Sequence, residues 1–147
     1  MTNFELKKVN SKFEWQAYHR IRRKELFDNS RHYDENHPDE FKAENQPMLM
    51  FMQGVPVATV RLDKVGSGAV IIRLVAVRND LQGKGVGKEL MRLIIEYVKN
   101  AGLHKILVNA RVTAVGYYEK FNFVEDPWNP DELHGIAKNS VQMSLTL

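Results

Sequence analysis

The 147-residue sequence contains no cysteine. This absence excludes disulfide bonds, thiolate metal ligands and a cysteine nucleophile. The sequence also lacks an uncharged apolar stretch near the roughly 20 residues of a membrane span, and its first residues lack the basic-then-apolar pattern of a secretory signal. We therefore expect a cytoplasmic protein without a membrane partner.

A stripe of basic residues interleaved with aromatic residues is missing too. The formal net charge is +3, but the basic residues are scattered along the chain, so we expect no nucleic-acid partner. Repeats and low-complexity linkers are also absent, and a chain of this length can bury a core of its own. We expect a single domain over residues 1–147, present as a monomer or a homodimer and without a bound metal.

The chain is organised around a strand, a glycine-rich loop and a helix. An apolar run over residues 69–77 indicates a buried strand that only Arg73 interrupts. The loop Gln82-Gly-Lys-Gly-Val-Gly87 follows, and after it the apolar residues of a helix fall within an arc of about 100°: Val86, Leu90, Leu93, Ile94, Tyr97 and Ala101. Amides that open a helix lack intrahelical partners and carry the positive end of its dipole, so we expect the loop to bind phosphate.

Two common phosphate loops do not fit these residues. A P-loop requires Ser or Thr after Gly-Lys, but Glu89 follows Gly87-Lys88. A dinucleotide-binding fingerprint that begins at Gly83 requires a glycine where Lys88 stands, and one that begins at Gly85 requires it where Leu90 stands. A nucleotide-binding module therefore remains only a weak alternative.

Periodic patterns outline the other elements. Ser11 and Glu14 form a capping box that starts a helix running to about Asp28. We expect one side of this helix to face the core, with Phe13, Ala17, Tyr18 and Ile21, and basic residues to lie mostly on its solvated side, at Arg20, Arg22, Arg23 and Lys24. Strands are predicted over residues 4–9, 48–53, 55–63, 104–109 and 140–147. The strand over 104–109 should be parallel to the strand over 69–77, because a helix connects them.

A second motif covers residues 111–123, Arg111-Val-Thr-Ala-Val-Gly-Tyr-Tyr118-Glu-Lys-Phe-Asn-Phe123, and predicts a short helix followed by a strand. Asn122 is suited to a left-handed helix end. Together with the glycine loop, this motif resembles the GNAT superfamily of N-acetyltransferases. The coenzyme A loop of that family reads Gln/Arg-x-x-Gly-x-Gly/Ala, and its second segment commonly reads Asn-x-x-Ala-x-x-Phe-Tyr-x-Lys-x-Gly-Phe.

The resemblance covers essentially the whole chain in the order of elements, while its specific letters lie in residues 74–88 and 111–123. It implies an α+β fold in three layers (α/β/α), built on a mixed sheet with helices on both faces. Strands 1–4 would be antiparallel, and strands 4 and 5 would be parallel and splayed apart.

The resemblance also implies acetyl-CoA as the cosubstrate and assigns residues to it. The pantetheine arm would hydrogen-bond to the backbone of the fourth strand at Val75, Ala76 and Val77. The pyrophosphate would lie on the amides of Gln82, Gly83, Lys84, Gly85, Val86, Gly87 and Lys88. Whether Arg111 or Asn109 contacts the pantetheine arm stays open.

Catalytic roles follow from the same resemblance. The Val75 amide would stabilise the oxyanion, and Tyr118 would donate a proton to the leaving thiolate; the alternative for Tyr118 is a core position. The general base stays open, because residues 69–77 contain no carboxylate. Water-linked candidates for it are Glu119, His104 and His134.

We predict an N-acetyltransferase that moves an acetyl group to a small-molecule or peptide amine by direct attack in a ternary complex. The alternative is a sensor or regulatory module that binds acyl-CoA without turnover. Residues 28–47 carry six acids against Arg31 and Lys42, which favours cationic amines if this segment borders the acceptor. A solvated surface loop explains these acids equally well.

Overall fold

The computed structural model describes residues 3–27 and 32–147. Among these residues the strands are β1 (Phe4–Lys8), β2 (Asn45–Met52), β3 (Val55–Val65), β4 (Ala69–Val77), β5 (Lys105–Ala110), β6 (Val124–Glu125) and β7 (Val141–Thr146). The α-helices are α1 (Lys12–Leu26), α2 (Val86–Asn100) and α3 (Val115–Glu119). No helix within these residues is long and apolar enough to cross a membrane.

The strands form a mixed sheet in the order β1-β2-β3-β4-β5-β7-β6. The pairs β1/β2, β2/β3, β5/β7 and β6/β7 are antiparallel, whereas β4 and β5 are parallel. The predicted α+β fold with a GNAT-like mixed sheet is therefore confirmed. The position of β7 between β5 and β6 was not predicted, because strand order depends on pairing between distant segments.

The chain comprises two compact units. The first unit contains Met1–Asp63 and Arg73–Tyr97, and the second contains Lys64–Ile72 and Val98–Leu147. In the first unit, Val9 and apolar side chains of α1, β2 and β4 pack into one buried cluster: Val9, Ala17, Tyr18, Ile21, Leu49 and Ala76. The single domain over residues 1–147 stays a prediction.

Helix α1 begins with the predicted capping box. The Ser11 hydroxyl accepts a hydrogen bond from the Glu14 amide at 3.1 Å, and the Glu14 carboxylate accepts from the amides of Asn10 and Ser11. Backbone donors that a helix start would leave without partners are thus satisfied by side chains. The helix ends at Leu26, and the predicted end near Asp28 lies outside the described residues.

The predicted division of α1 into an apolar side and a basic side was wrong at two positions. Phe13 is 57% exposed, although it was assigned to the core. Arg22 is 2% exposed, although it was assigned to the solvated side. The reason for Arg22 is tertiary: its guanidinium lies 4.6 Å from the centre of the Tyr18 ring and forms an ion pair with Glu40.

The apolar stripe of α2 is rotated relative to the prediction. Its buried residues are Val86, Leu90, Met91, Ile94 and Val98, whereas Ala101 is exposed and lies beyond the helix end. Gly102 has φ 78°, and its amide donates to the Lys99 carbonyl, so the glycine ends the helix in the left-handed conformation as expected.

Candidate active site

The glycine-rich loop lies in the first unit between β4 and α2. A short 3-10 turn over Asn79–Leu81 precedes it. Gly83 and Gly85 have φ of 83° and 80°, a region that L side chains rarely adopt, and a Cβ added at either position would meet no atom within 4 Å. Residues 82–85 are exposed. The loop therefore presents bare backbone toward open space.

Helix α2 begins at Val86, directly after the second of these glycines. The Glu89 amide donates to the Gly85 carbonyl at 3.1 Å, which begins the hydrogen-bond ladder of the helix. Before this bond, the Gln82 and Lys84 amides donate to the carbonyls of Asn79 and Leu81 at 3.3 Å. The start of the helix carries the positive end of its dipole. The Lys84 and Lys88 side chains are exposed and add positive charge to the same stretch. An anionic group is favoured here.

Contacts within the first unit fix the entry to the loop. The Glu25 carboxylate of α1 accepts a hydrogen bond from the Asn79 amide at 2.9 Å. The Arg78 amide donates to the Val57 carbonyl at 2.9 Å, and the Arg78 guanidinium bonds to both carboxylate oxygens of Asp80. These hydrogen bonds from Arg78 hold the pKa of Asp80 below its usual range. The loop thus starts from a fixed backbone.

The end of β4 carries the predicted pantetheine and oxyanion residues. Val75 and Val77 are half-buried, whereas Ala76 between them is buried in the first unit's apolar cluster. Leu74 has φ 53° and is 37% exposed. A left-handed leucine costs free energy, and such positions concentrate at functional sites. Leu74 therefore marks a local distortion immediately before these residues.

The second unit holds Tyr118 on α3. The Tyr118 ring is buried and makes edge-to-face contacts with Phe123 and Tyr117 at 5.3 and 5.1 Å between ring centres. The whole residue is only 6% exposed. Burial raises the pKa of Tyr118 to about 12, while Arg111 opposes the shift. The phenol is therefore protonated at neutral pH.

A polar network that the sequence did not indicate surrounds the end of β5 in the second unit. The Asn109 side chain donates to Glu132 at 3.1 Å and accepts from the Gln142 amide at 2.9 Å. Gln142 also bonds to the backbone of Asn129. Asn109 is thus engaged in protein contacts, whereas Arg111 is exposed. The water-linked base candidates Glu119, His104 and His134 are all exposed as well.

The first unit contains a buried ionic cluster, which we define as Tyr18, Arg22, Glu40, Arg61 and Asp63. Glu40 is 5% exposed, and its carboxylate accepts from the Tyr18 hydroxyl at 3.0 Å, from Arg22, and from Arg61 at 3.3 Å. Arg61 bonds to both oxygens of Asp63 at 2.8 and 2.9 Å. Burial raises the pKa of Tyr18. Because its charges are paired and hydrogen-bonded, this cluster can be accommodated out of water.

Arg73 of β4 lies at the edge of this ionic cluster. Its Nε atom is 3.4 Å from the Asp63 carboxylate, and its side chain is 29% exposed. The sequence marked Arg73 as an interruption of the apolar strand but gave no partner for it. Asp63 precedes Arg73 by ten residues and lies on β3, the neighbour of β4 in the sheet. The two side chains therefore meet through the pairing of these strands.

Ion pairs neutralise acids in the segment that was expected to favour cationic amines. Glu35 pairs with Arg23, Asp39 with Lys42, and Glu40 with Arg22 and Arg61. The hydrogen bond from Lys42 holds the pKa of Asp39 below its usual range. Asp28 and Arg31 lie outside the described residues. These ion pairs compensate three of the five acids of this segment that the structure describes.

Within residues 3–27 and 32–147, no group of three or more His, Cys, Asp or Glu side chains is arranged to hold a metal ion. The chemistry that these residues offer is that of an exposed, positively polarised backbone loop in one unit and a buried phenol in the other.

Comparison with known proteins identifies the family. The profile of the Acetyltransferase (GNAT) family matches residues 12–123. Glucosamine 6-phosphate N-acetyltransferase 1 of Oryza sativa subsp. japonica is 32% identical over 44 residues, a match that covers 30% of this chain and only 27% of that protein.

Solved structures share the fold across their whole length. Escherichia coli ElaA has a TM-score of 0.78 at 19% identity, with 98% of this chain and 99% of that chain covered. A chimera of the spermidine N-acetyltransferase SpeG from Vibrio cholerae and hSSAT has a TM-score of 0.76 at 18% identity, with 97% and 95% covered. At these identities the structures show the fold alone. Since the family profile spans most of the sequence, the chain belongs to the GNAT family of acetyltransferases.

Proposed function

We propose that this protein is an N-acetyltransferase that moves an acetyl group from acetyl-CoA to a primary amine. The observation that carries the proposal is the loop over residues 82–88, where left-handed glycines leave exposed backbone at the start of α2. Membership in the GNAT family supports acyl transfer in general. The names of the rice relative and of the spermidine N-acetyltransferase chimera support an amine acceptor.

The loop fits the pyrophosphate of coenzyme A. We assign the pyrophosphate to the amides of Gln82–Lys88, with Lys84 and Lys88 near its charge. The absence of a Cβ at Gly83 and Gly85 allows oxygen atoms to approach the backbone closely. The pantetheine arm is assigned to the backbone of β4 at Val75, Ala76 and Val77.

The proposed reaction is direct aminolysis of the thioester. The neutral amine nitrogen attacks the carbonyl carbon, so that a C–N bond forms, the C–S bond breaks, and the amine loses one proton. The Val75 amide stabilises the oxyanion in this step. The thiolate receives a proton from the Tyr118 hydroxyl or shares it in a hydrogen bond, and the products are the acetamide and free coenzyme A. The base that accepts the amine proton stays unassigned.

Transfer is proposed to occur in a ternary complex, because the sequence contains no cysteine to hold the acetyl group between half-reactions. The acceptor is a small-molecule or peptide amine, and the protein acts as a monomer or a homodimer.

The test is thiol release from acetyl-CoA over a panel of primary amines. We expect at least one amine to release coenzyme A in step with formation of its acetamide, and initial-rate plots against both substrates to intersect. Parallel plots with an isolable acetylated enzyme would contradict direct transfer. Binding of acetyl-CoA without release over the whole panel would contradict the enzyme and favour an acyl-CoA sensor.

A further inference from the structure

Strand β1 lies at one edge of the sheet, and within the described residues β2 is the strand that pairs with it. The Asn3 carbonyl and the Val9 amide bond to the backbone along β2 at 2.8 and 3.1 Å. In an antiparallel pair, both backbone groups of a residue point to the same side, and this side alternates along the strand. Phe4, Leu6 and Lys8 therefore direct their N–H and C=O groups toward the open edge.

The side chains of β1 restrict what can pair with this edge. Backbone groups at an open edge are a template for another strand, and lysines there disfavour pairing with an arbitrary strand. Besides Lys7 and Lys8, β1 carries Glu5, which is exposed and forms no ion pair with another described residue. Glu5 and Lys7 lie on one face of the strand, because they are two residues apart. A reversed copy of β1 therefore offers a lysine to Glu5 and a glutamate to Lys7.

The outward backbone groups limit the register of such a pair. Two β1 strands related by a two-fold axis can be centred on Leu6, so that Leu6 faces Leu6 and Phe4 faces Lys8 of the second copy. Glu5 then faces Lys7 of the second copy in a pair without backbone hydrogen bonds, where side chains are closest. A shift of the centre to Glu5 or to Lys7 would place like charges opposite each other, which is unfavourable. Charge therefore selects the register centred on Leu6.

Lys7 can keep its present contacts in such a pair. Its Nζ atom lies 3.3 Å from the Glu14 carboxylate and 5.6 Å from the centre of the Phe51 ring, and 46% of its side chain is exposed. An ammonium group has three N–H donors. Lys7 can therefore donate to Glu14 and, at the same time, to Glu5 of the second copy.

Apolar surface lies beside the same edge. Phe13, in the first turn of α1, is 57% exposed. Together with Glu5, Lys7 and Phe51, it lines a cavity of about 320 Å³. Removal of exposed aromatic surface from water is favourable. Association along β1 can therefore gain apolar contacts as well as backbone hydrogen bonds.

We propose that β1 is a self-association surface, on which the β1 strand of a second copy of this chain pairs in antiparallel orientation, centred on Leu6. Glu5 of each copy forms an ion pair with Lys7 of the other, so the same pair occurs twice across the two-fold axis. The inference concerns association of the protein and does not rest on the proposed N-acetyltransferase function.

Sedimentation velocity over about a hundredfold range of protein concentration tests the surface, because the dimer fraction follows mass action. We expect the weight-average mass to rise from the 17.0 kDa of one chain toward twice that mass. Glu5→Lys should weaken the dimer by at least about tenfold, since symmetry turns two opposite-charge pairs into two like-charge pairs. The matched control is Glu125→Lys, at an exposed glutamate of the other edge strand, β6, and it should associate like the wild type.

Two outcomes of this experiment would overturn the proposal. One is a wild-type mass that stays at that of a single chain over the whole concentration range. The other is a Glu5→Lys dimer as tight as the wild-type dimer, because the interface would then lie elsewhere on the molecule.

A mixture of two variants tests the register. Glu5→Lys carries lysine at both facing positions and Lys7→Glu carries glutamate at both, so each variant repels itself. A mixed pair has opposite charges at both positions, and we expect an equimolar mixture to regain the dimer that neither variant forms alone. Circular dichroism checks that Lys7→Glu folds without its ion pair to Glu14. A mixture of folded variants that stays monomeric contradicts the register.

Amide hydrogen exchange of the wild-type protein, followed by NMR, needs no variant. The amides of Phe4, Leu6 and Lys8 should exchange more slowly at high protein concentration than at low concentration, since only the dimer provides acceptors for them. The amides of Glu5 and Lys7 face β2 and should be protected at both concentrations. Exchange that does not change with concentration, or protection that does not alternate along β1, contradicts the proposal.

Discussion

The phenol of Tyr118 lies on α3 and is buried. Its raised pKa of about 12 keeps the phenol protonated, but it also makes the phenol a weaker acid than an ordinary thiol, whose pKa is about 8.5. Complete proton transfer from the phenol to the thiolate is therefore uphill. A hydrogen bond that stabilises the developing thiolate is the role that best matches this chemistry.

Tyr118→Phe is expected to lower kcat by about tenfold or more while acetyl-CoA affinity changes little. The substitution removes the hydroxyl but preserves the ring contact with Phe123, so a loss of folding is not expected to contribute. A general acid usually contributes about 10²- to 10⁴-fold, and partial proton transfer places the effect toward the lower end. The measurement is kcat at saturating acetyl-CoA and amine.

Tyr117→Phe is the matched control for this prediction. Tyr117 is half-buried, and its ring packs on Phe121 and Tyr118. Because adjacent residues of a helix project about 100° apart, its side chain leaves α3 in a different direction from that of Tyr118. We expect its turnover to stay within about threefold of the wild-type value, well below the effect of a positioned acid. If Tyr118→Phe lowers kcat by less than about threefold, Tyr118 has only a packing role. If both variants lower kcat equally, the effect cannot be assigned to the Tyr118 hydroxyl.

At the scale of elements, the glycine loop depends on two left-handed backbone positions rather than on side chains. A Cβ at Gly85 would meet no protein atom within 4 Å. A substitution there would therefore be disfavoured only by the φ of 80° and by contact with a ligand bound in the open space. This distinction allows a designed comparison with another glycine of the same conformation.

Gly85→Glu is expected to abolish acetyl-CoA binding, since it adds a carboxylate where the pyrophosphate is assigned. Gly54→Glu serves as the control: Gly54 has φ 82°, also has no atom within 4 Å of an added Cβ, and lies in the turn between β2 and β3. Both variants carry the same new charge and similar backbone strain. Titration calorimetry should show wild-type affinity for Gly54→Glu, and an unchanged dissociation constant for folded Gly85→Glu would remove the loop from the site.

At the scale of the whole molecule, a histidine in the first unit links stability to pH. His19 packs against Trp15, Tyr18 and Tyr33, and its Nδ1 atom hydrogen-bonds with the Tyr33 hydroxyl. Burial lowers the pKa of His19 below 6.5. The unfolded chain therefore binds more protons than the folded protein in this range, and stability must rise with pH.

We expect the contribution of His19 to the free energy of unfolding to be complete above about pH 6.5, the pKa of an unperturbed histidine. This contribution should decrease as the pH falls toward the lower pKa that His19 has in the folded protein. Urea titrations between pH 8 and 5 measure the slope, and His19→Gln should flatten it. A wild-type slope that persists in His19→Gln would assign the effect to other groups. Below this window the carboxylates with lowered pKa values, such as Glu14 and Asp126, should continue the loss of stability.

Local features were determined by the sequence itself. Strand β4 has the predicted bounds, the capping box at Ser11 is formed, and Asn122 adopts φ 72° at the end of the second motif. Each of these depends on a few neighbouring residues, through hydrophobic period, hydrogen bonds within one turn, or tolerance of a left-handed backbone. The glycine loop belongs to the same group, since its conformation follows from residues that lack a Cβ.

Only the tertiary structure decided which charges are buried and what they contact. Arg22 meets Glu40 across 18 positions of sequence, and Asn109 meets Gln142 across 33. The spacing of apolar residues shows only which side of one helix or strand faces the core. It therefore places an arginine on the solvent side, since it carries no information about acidic partners on other elements. Burial of a charge becomes favourable only when folding supplies its counter-charge and hydrogen bonds, and those partners come from other elements.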